Sequence, residues 1–104
     1  MAGIHSINPK CIISASLMPE TTKGEFLYGQ NYEVFSKYMD VVLPMIFKGN
    51  NKQRTAWIQK TTEWFVQNSK GASVCAGIQS YRSDDDYTPL SESALTIDVK
   101  SALI

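Results

Sequence analysis

The stretch that most constrains this chain is Asp40-Val-Val-Leu-Pro-Met-Ile-Phe-Lys-Gly49. Val41 to Phe47 is an almost unbroken apolar run, bulky or β-branched except at Pro44, and polar residues close it at both ends. Such a run suits a strand buried on both faces, as in parallel sheets, better than a half-exposed one. Proline cannot donate to a strand ladder. Pro44 therefore fits only where one pairing is irregular, or where the strand lies at an edge. The expectation is a buried parallel strand that opens into a loop from Met45 to Gly49.

Strand and helix patterns alternate around it. Residues 1–10 have no periodicity and are expected to be irregular, with Asn8-Pro9 as a turn. Cys11 to Leu17 reads as a strand, ended by Met18-Pro19-Glu20, and Thr21 to Gly29 reads as a polar loop carrying Phe26, Leu27 and Tyr28. Asn31 is placed to cap a short helix, with Glu33 in its first turn. Its apolar face is expected to be Val34, Phe35, Tyr38 and Met39. From Gln53 to Ser69, residues Trp57, Ile58, Thr61, Trp64, Phe65 and Asn68 recur at helical spacing. Gly71 suits the left-handed position that follows a helix. Ser73 to Ser80 reads as a third strand, in which Gly77 permits a close backbone approach. Tyr81 to Leu90 reads as a polar loop. Ser91 then caps a last helix with a stripe of Leu95, Val99, Ala102 and Leu103.

The order β-α-β-α-β-α predicts an α/β fold of three βα units, with parallel strands and right-handed crossovers. The 104 residues fit one domain. A closed (β/α)8 barrel needs eight such units. Three units fall short of that, and the pattern over residues 11–104 stops at Ser101-Ala-Leu-Ile104 as a cut through a larger repeat of βα units would. The basic and acidic counts balance at 10 each, which leaves no electrostatic footprint for nucleic acid or an acidic membrane surface. No apolar run approaches the roughly 18 residues of a membrane span. Met1 to Ile13 lacks the apolar region of a signal peptide, so the chain as it stands reads as cytoplasmic. Cys11 and Cys75 read as two separate buried thiols rather than a disulfide. Their spacing fits no metal site, His5 has no evident neighbour, and no cofactor is expected.

In parallel α/β structures the active surface lies at the C-terminal ends of the strands. That rule selects Glu20 as the candidate catalytic carboxylate, and Met45, Phe47, Gln79, Tyr81 and Arg82 as candidate substrate-binding residues. Gln79, Tyr81 and Arg82 combine hydrogen bonding with an aromatic face, which suits a carbohydrate or a peptide. Asp84-Asp85-Asp86 lacks the glycine and the closing glutamate of a calcium loop and reads as a solvated acidic turn. Lys48 reads as a rim charge.

Four segments carry a resemblance: Ser14-Ala-Ser-Leu-Met-Pro-Glu20, Tyr28-Gly-Gln-Asn-Tyr32, Tyr38 to Gly49, and Ala76-Gly-Ile-Gln-Ser-Tyr-Arg82. Together they resemble the later half of a TIM-barrel glycoside-hydrolase-like domain. Domains of this kind occur in uncharacterised surface or cell-wall-associated proteins of methanogenic archaea. The resemblance covers about residues 8–104 and implies barrel strands five to seven, in a family that is extracellular or cell-surface. It places Met45 and Phe47 toward substrate, with Phe47 lacking the hydroxyl of the tyrosine usual there. Gln79 stands where one large group of these enzymes carries its nucleophile. The strand that supplies the general acid in many of them, the fourth, lies outside the matching segment.

Glycoside hydrolysis needs two carboxylates, about 5 Å apart for retention or about 6.5 to 9.5 Å for inversion. Glu20 and the acidic turn make no convincing pair, so the parent domain reads as a glycoside hydrolase and this chain as inactive by itself. Two alternatives stand beside that reading. One is a carbohydrate- or cell-wall-binding module without catalysis, stacking sugars on Tyr28, Phe47, Tyr81 and Tyr87. The other is a truncated gene product with no independent function. In either case the inner face of a three-stranded sheet is expected to be exposed and prone to self-association.

Overall fold

A computed structural model describes residues 2–22 and 29–103. Among them the elements are α1 (Ala2–Ile7), β1 (Ser14–Leu17), α2 (Tyr32–Ser36), β2 (Val41–Ile46), α3 (Thr55–Asn68), β3 (Ser73–Val74), β4 (Gly77–Ile78), β5 (Tyr81–Ser83), β6 (Asp86–Pro89) and α4 (Glu92–Ala102). The sequence expectation for Phe26, Leu27 and Tyr28 falls outside the described residues.

β2 is the central strand. β1 pairs with it in parallel, Ser14 opposite Val41 through Leu17 opposite Pro44. On its other side β3 pairs at Val41 and Val42, and β4 pairs at Met45 and Ile46, again in parallel. The third strand is thus split in two, and Pro44 explains the split. The Cys75 N–H donates to the Val42 carbonyl at 2.9 Å, so the even residues of β2 turn their polar groups toward β3. At Pro44 no N–H exists to meet the next carbonyl, and the ladder lapses at Cys75 and Ala76. The irregular pairing expected around the proline is present, although the strand is central rather than an edge.

The strand order runs in sequence, without reversal, so right-handed crossovers bring the helices to one face. On that face Leu17, Val42, Tyr32, Phe65 and Ala72 form the core, with Ala15, Phe35, Met39, Trp64 and Val74 packed against it. Phe65 stands edge-on to both Tyr32 and Trp64, at centroid distances of 4.8 and 5.1 Å. The Tyr32 hydroxyl donates to the Phe65 carbonyl at 2.7 Å, and burial raises its pKa above the ordinary tyrosine value. β2 shows strict alternation: Val42, Pro44 and Ile46 are buried, while Val41, Leu43 and Met45 are half-buried. Burial on both faces was the expectation; among the described residues no helix covers the second face. The molecule is a partial (β/α) fold, not a closed eight-stranded barrel. Its radius of gyration is 14.8 Å, against about 13 Å for a compact domain of similar length.

Several boundaries differ from the sequence reading for local reasons. Ala2–Ile7 is helical rather than irregular. Its His5 Nε2 lies 3.1 Å from both the Cys11 carbonyl and an Asp40 carboxylate oxygen, so tertiary contacts hold a turn that propensity would not. β1 begins at Ser14 because the Ile13 N–H donates to Asp40 Oδ2 at 2.7 Å, while the Asp40 and Val41 N–H groups both donate to the Ile13 carbonyl. Residues 81–90, expected as a loop, form an antiparallel hairpin with an irregularity between Tyr81 and Ser83. In α2 the buried side is Tyr32 and Ser36 with Phe35 and Met39, leaving Val34 and Tyr38 exposed. In α4 the buried residue is Asp98, and Val99 and Leu103 face outward. Asn31 and Ser91 cap α2 and α4 as expected, accepting from the Val34 and Ala94 N–H groups. Gly71 has φ +132°, but α3 already ends at Ser69 in extended backbone. Cys11 and Cys75 are separate free thiols, but neither is buried: Cys11 is half-buried and Cys75 exposed.

The Asp40 junction gives a pH prediction. The Ile13 N–H, and after it His5, hold the Asp40 carboxyl below its ordinary pKa. A depressed folded pKa contributes stability that is complete above the ordinary carboxylate value and is lost as pH falls through the lowered one. The expected result is an Ile13 amide shift that titrates below the usual aspartate midpoint. The acid limb of a stability–pH curve should also flatten in Asp40→Asn.

Candidate functional site

The C-terminal ends of the strands are shaped by three short polar clasps. After β1, the Gln30 side chain mimics a strand partner: its Oε1 accepts from the Met18 N–H at 3.1 Å and its Nε2 donates to the Met18 carbonyl at 3.3 Å. Pro19 is buried behind it, and Glu20 is half-buried beyond. After β2 the chain winds tightly. The Asn51 N–H donates to the Phe47 carbonyl and the Gln53 N–H to that of Lys48, and Lys52 takes the left-handed conformation at φ 53°.

After β4, Gln79 is 3% exposed and fully engaged with Asn50. Its Oε1 accepts from the Asn50 N–H at 3.2 Å, and its Nε2 donates to Asn50 Oδ1 at 2.9 Å. Asn50 Oδ1 also accepts from the Asp84 N–H at 2.8 Å, so one carboxamide ties the β2 loop to the hairpin. Gly49 is required for that approach. A Cβ there would run into the Arg82 carbonyl and lie 2.9 Å from Gln79 Oε1.

Lys48 is not a rim charge. Its ammonium lies 2.7 and 2.8 Å from the two carboxylate oxygens of Asp98 and donates to Thr55 Oγ1 at 3.1 Å. Thr55 Oγ1 in turn donates to Asp98 Oδ1 at 2.8 Å. The Asp98 side chain is 1% exposed and that of Lys48 22%. The pair fastens α4 to the loop after β2 and to the first residue of α3. Sequence reading passed over Asp98 because it centred the α4 stripe on Val99. The available signal was the register Ala94, Leu95, Asp98, Ser101 and Ala102, which is equally helical.

The hairpin carries the exposed chemistry. Tyr81 and Tyr87 have ring centroids 6.0 Å apart, and Tyr87 is 76% exposed. The Tyr81 hydroxyl donates to Asp84 Oδ1 at 2.8 Å, a bond that raises the Tyr81 pKa by favouring its protonated form. Asp86 accepts from the Thr88 hydroxyl and N–H at 2.6 and 3.0 Å, which lowers its pKa, and lies 3.6 Å from the Arg82 guanidinium. Among the described residues, no group of three or more His, Cys, Asp or Glu side chains is placed to hold a metal ion.

The six sequence candidates divide into two places. Met45 lies on the open face opposite Gly77, and the Phe47 ring leans over Gly77, 3.7 Å from where a Cβ would stand. Gln79 sits beneath the hairpin that presents Tyr81 and Arg82. Glu20 is elsewhere. It lines a cleft of about 640 Å³ against α3, with Trp57, Lys60, Glu63 and Trp64 but with none of the other five. Sequence reading had assigned Trp57 and Trp64 only to the helix core face; both are half-buried and line this cleft.

Comparison with protein-family models, with curated proteins and with solved structures finds no match, so the resemblance to sugar-cleaving barrels rests on the sequence motifs alone. What the fold carries without it is a small partial α/β domain of parallel strands. No helix among the described residues is long and apolar enough to cross a membrane.

The buried ion pair yields the sharpest stability test here. Lys48→Met leaves the Asp98 carboxylate buried without its partner and should cost about 3–5 kcal/mol. Lys48→Met combined with Asp98→Leu should recover most of that loss. Urea unfolding of the two variants beside the parent measures both.

Proposed function

We propose that this chain is a non-catalytic segment of a glycoside-hydrolase-like (β/α)8 barrel domain, and that it binds a carbohydrate or cell-wall polymer at the C-terminal ends of its strands. The observation that carries the reading is the one-sided placement of the helices on a sheet of sequential parallel strands. An arc of a barrel has that form, and a doubly wound sheet does not. Phe47, Tyr81 and Tyr87 provide apolar ring faces near the strand ends, and Arg82 provides donors. At the strand ends the described carboxylates do not pair with one another. Asp84 and Asp86 are engaged within the hairpin, while Glu20 faces the cleft on α3. The reading is therefore binding without hydrolysis at the strand ends.

Chromogenic glycosides should give no turnover, and Glu20→Gln should change nothing. On a polysaccharide column Tyr81→Ala should elute earlier than Tyr87→Ala. Tyr81 both offers a ring and supports Tyr87, so its loss removes two surfaces. Equal retention of the two variants would overturn this placement of the site, and turnover that Glu20→Gln abolishes would overturn the non-catalytic reading.

The open face of the sheet also has a proposed partner, a second copy of the chain. Val41, Leu43 and Met45 form an apolar stripe flanked by Ser14, Ser16 and Ser73, with no charged strand residue on that face. Two copies can meet there without burying or opposing charge, and the chain's formal net charge of +0 adds no repulsion. Sedimentation across a concentration series should show association, reduced by Leu43→Lys. A strictly monomeric species at high micromolar concentration would sink the idea.

A further inference from the structure

The cleft beside α3 has no role in the strand-end reading, yet its lining is specific. Trp57 and Trp64 lie seven residues apart on one face of α3, two helical turns or about 10.5 Å along the axis. A second, smaller depression of about 370 Å³ shares Thr21, Thr22 and Trp64 with the cleft and extends it toward Asn31, Glu33 and Asn68. The two together make one groove along the helix, with Trp64 common to both parts.

The chemistry of the lining selects the ligand. Amides (Asn51, Gln53, Gln67) and the hydroxyls of Thr21 and Thr22 surround the two indoles. Among the described residues of the groove Lys60 is the one cation, and Glu20, Glu33 and Glu63 are the anions. A nucleic acid strand would need a cationic track along its phosphates, and this lining is neutral to acidic. An apolar helix would leave the amides unpaired at a cost. A neutral, polyhydroxylated ligand with flat apolar faces satisfies both halves of the lining. In an extended glycan, alternate rings present the same face in the same direction, so platforms two rings apart stack equivalent faces.

We infer that the groove along α3 is a binding site for an extended, uncharged oligosaccharide, with Trp57 and Trp64 as its stacking platforms and the flanking amides as hydrogen-bond partners. This site is separate from the hairpin of Tyr81 and Arg82 and shares only its ligand class.

The test uses the full chain and cellohexaose as probe, with hexagalacturonate as the charged comparison. Cellohexaose should shift the intrinsic tryptophan fluorescence and move the indole N–H resonances of Trp57 and Trp64, and hexagalacturonate should do so much less. Trp57→Ala should weaken binding about tenfold, as expected for loss of one anchoring aromatic. Trp64→Phe, which keeps a ring against Tyr32 and Phe65, should weaken it less. The titration is followed at the Trp57 and Trp64 indole resonances, which report the groove and not the strand-end site. Indole resonances unmoved by millimolar cellohexaose would overturn the inference. So would an affinity, read at the Trp64 indole, that survives Trp57→Ala, and so would equal response to both glycans. The resonances of the unmutated chain decide the matter even where a variant fails to fold.

Discussion

The missing N–H of Pro44 governs more of this structure than any apolar contact. It sits in the middle of the central strand, on the side that faces β3 and β4. The ladder must lapse there, and the chain resumes pairing only at Gly77, whose lack of a side chain lets it come within reach of the Pro44 carbonyl. A Cβ at that position would stand 3.2 Å from that oxygen, tighter than ordinary contact allows without adjustment. Proline and glycine are thus two halves of one local solution. The resumed strand then delivers Gln79 to a buried position, where its amide engages the loop after β2.

Sequential strand order has a second consequence. Because every crossover falls on the same side, the sheet has one well-covered face and one that depends on something else. A chain of this size has limited area to bury, and leaving half of its central strand only partly covered reduces it further. Polar fastenings take up part of the task. Asp98 with Lys48 and Thr55 fixes α4, Gln79 with Asn50 fixes the hairpin, and Asp40 with Ile13 and His5 fixes the N-terminal turn. Each satisfies groups that would otherwise be costly to bury. Such contacts specify geometry more than they add stability.

The α/β order, the parallel strands, the caps at Asn31 and Ser91 and the core face of α3 were legible in the sequence, since they depend on periodicity and short-range chemistry. The register of the short helices was not. In α2 and α4 two overlapping apolar stripes are nearly equivalent, and the choice between them is made by tertiary partners: Ser36 beneath the Lys70 N–H in one case, Lys48 against Asp98 in the other. The hairpin escaped because its strands are polar and its pairing is irregular, which removes the alternation that would announce it. His5 escaped because its partner Asp40 is 35 residues away. The candidate residues were chosen by one rule, strand-end position. That rule located Tyr81 and Arg82 at an exposed surface, but it could not foresee that Gln79 would be consumed internally or that Glu20 would turn to a different cleft.

The polar clasps bear directly on what the strand ends can do. A binding surface built on loops loses affinity to the entropy of ordering them. Here the loop after β2 is held by Gln79 through Asn50, by Lys48 through Asp98, and by its own turn at Lys52, while the hairpin is held to that same loop by the Asp84 N–H. Tyr81 is fixed further by its hydroxyl, and Tyr87 leans against it. The exposed rings therefore sit on a frame whose buried polar groups are already paired, so a ligand arriving there need not order the frame. The same reasoning applies to the groove on α3, where both indoles project from a single rigid helix and their spacing is set by helical pitch. Rigidity of the platforms, rather than depth of a pocket, is the physical property that these two surfaces share.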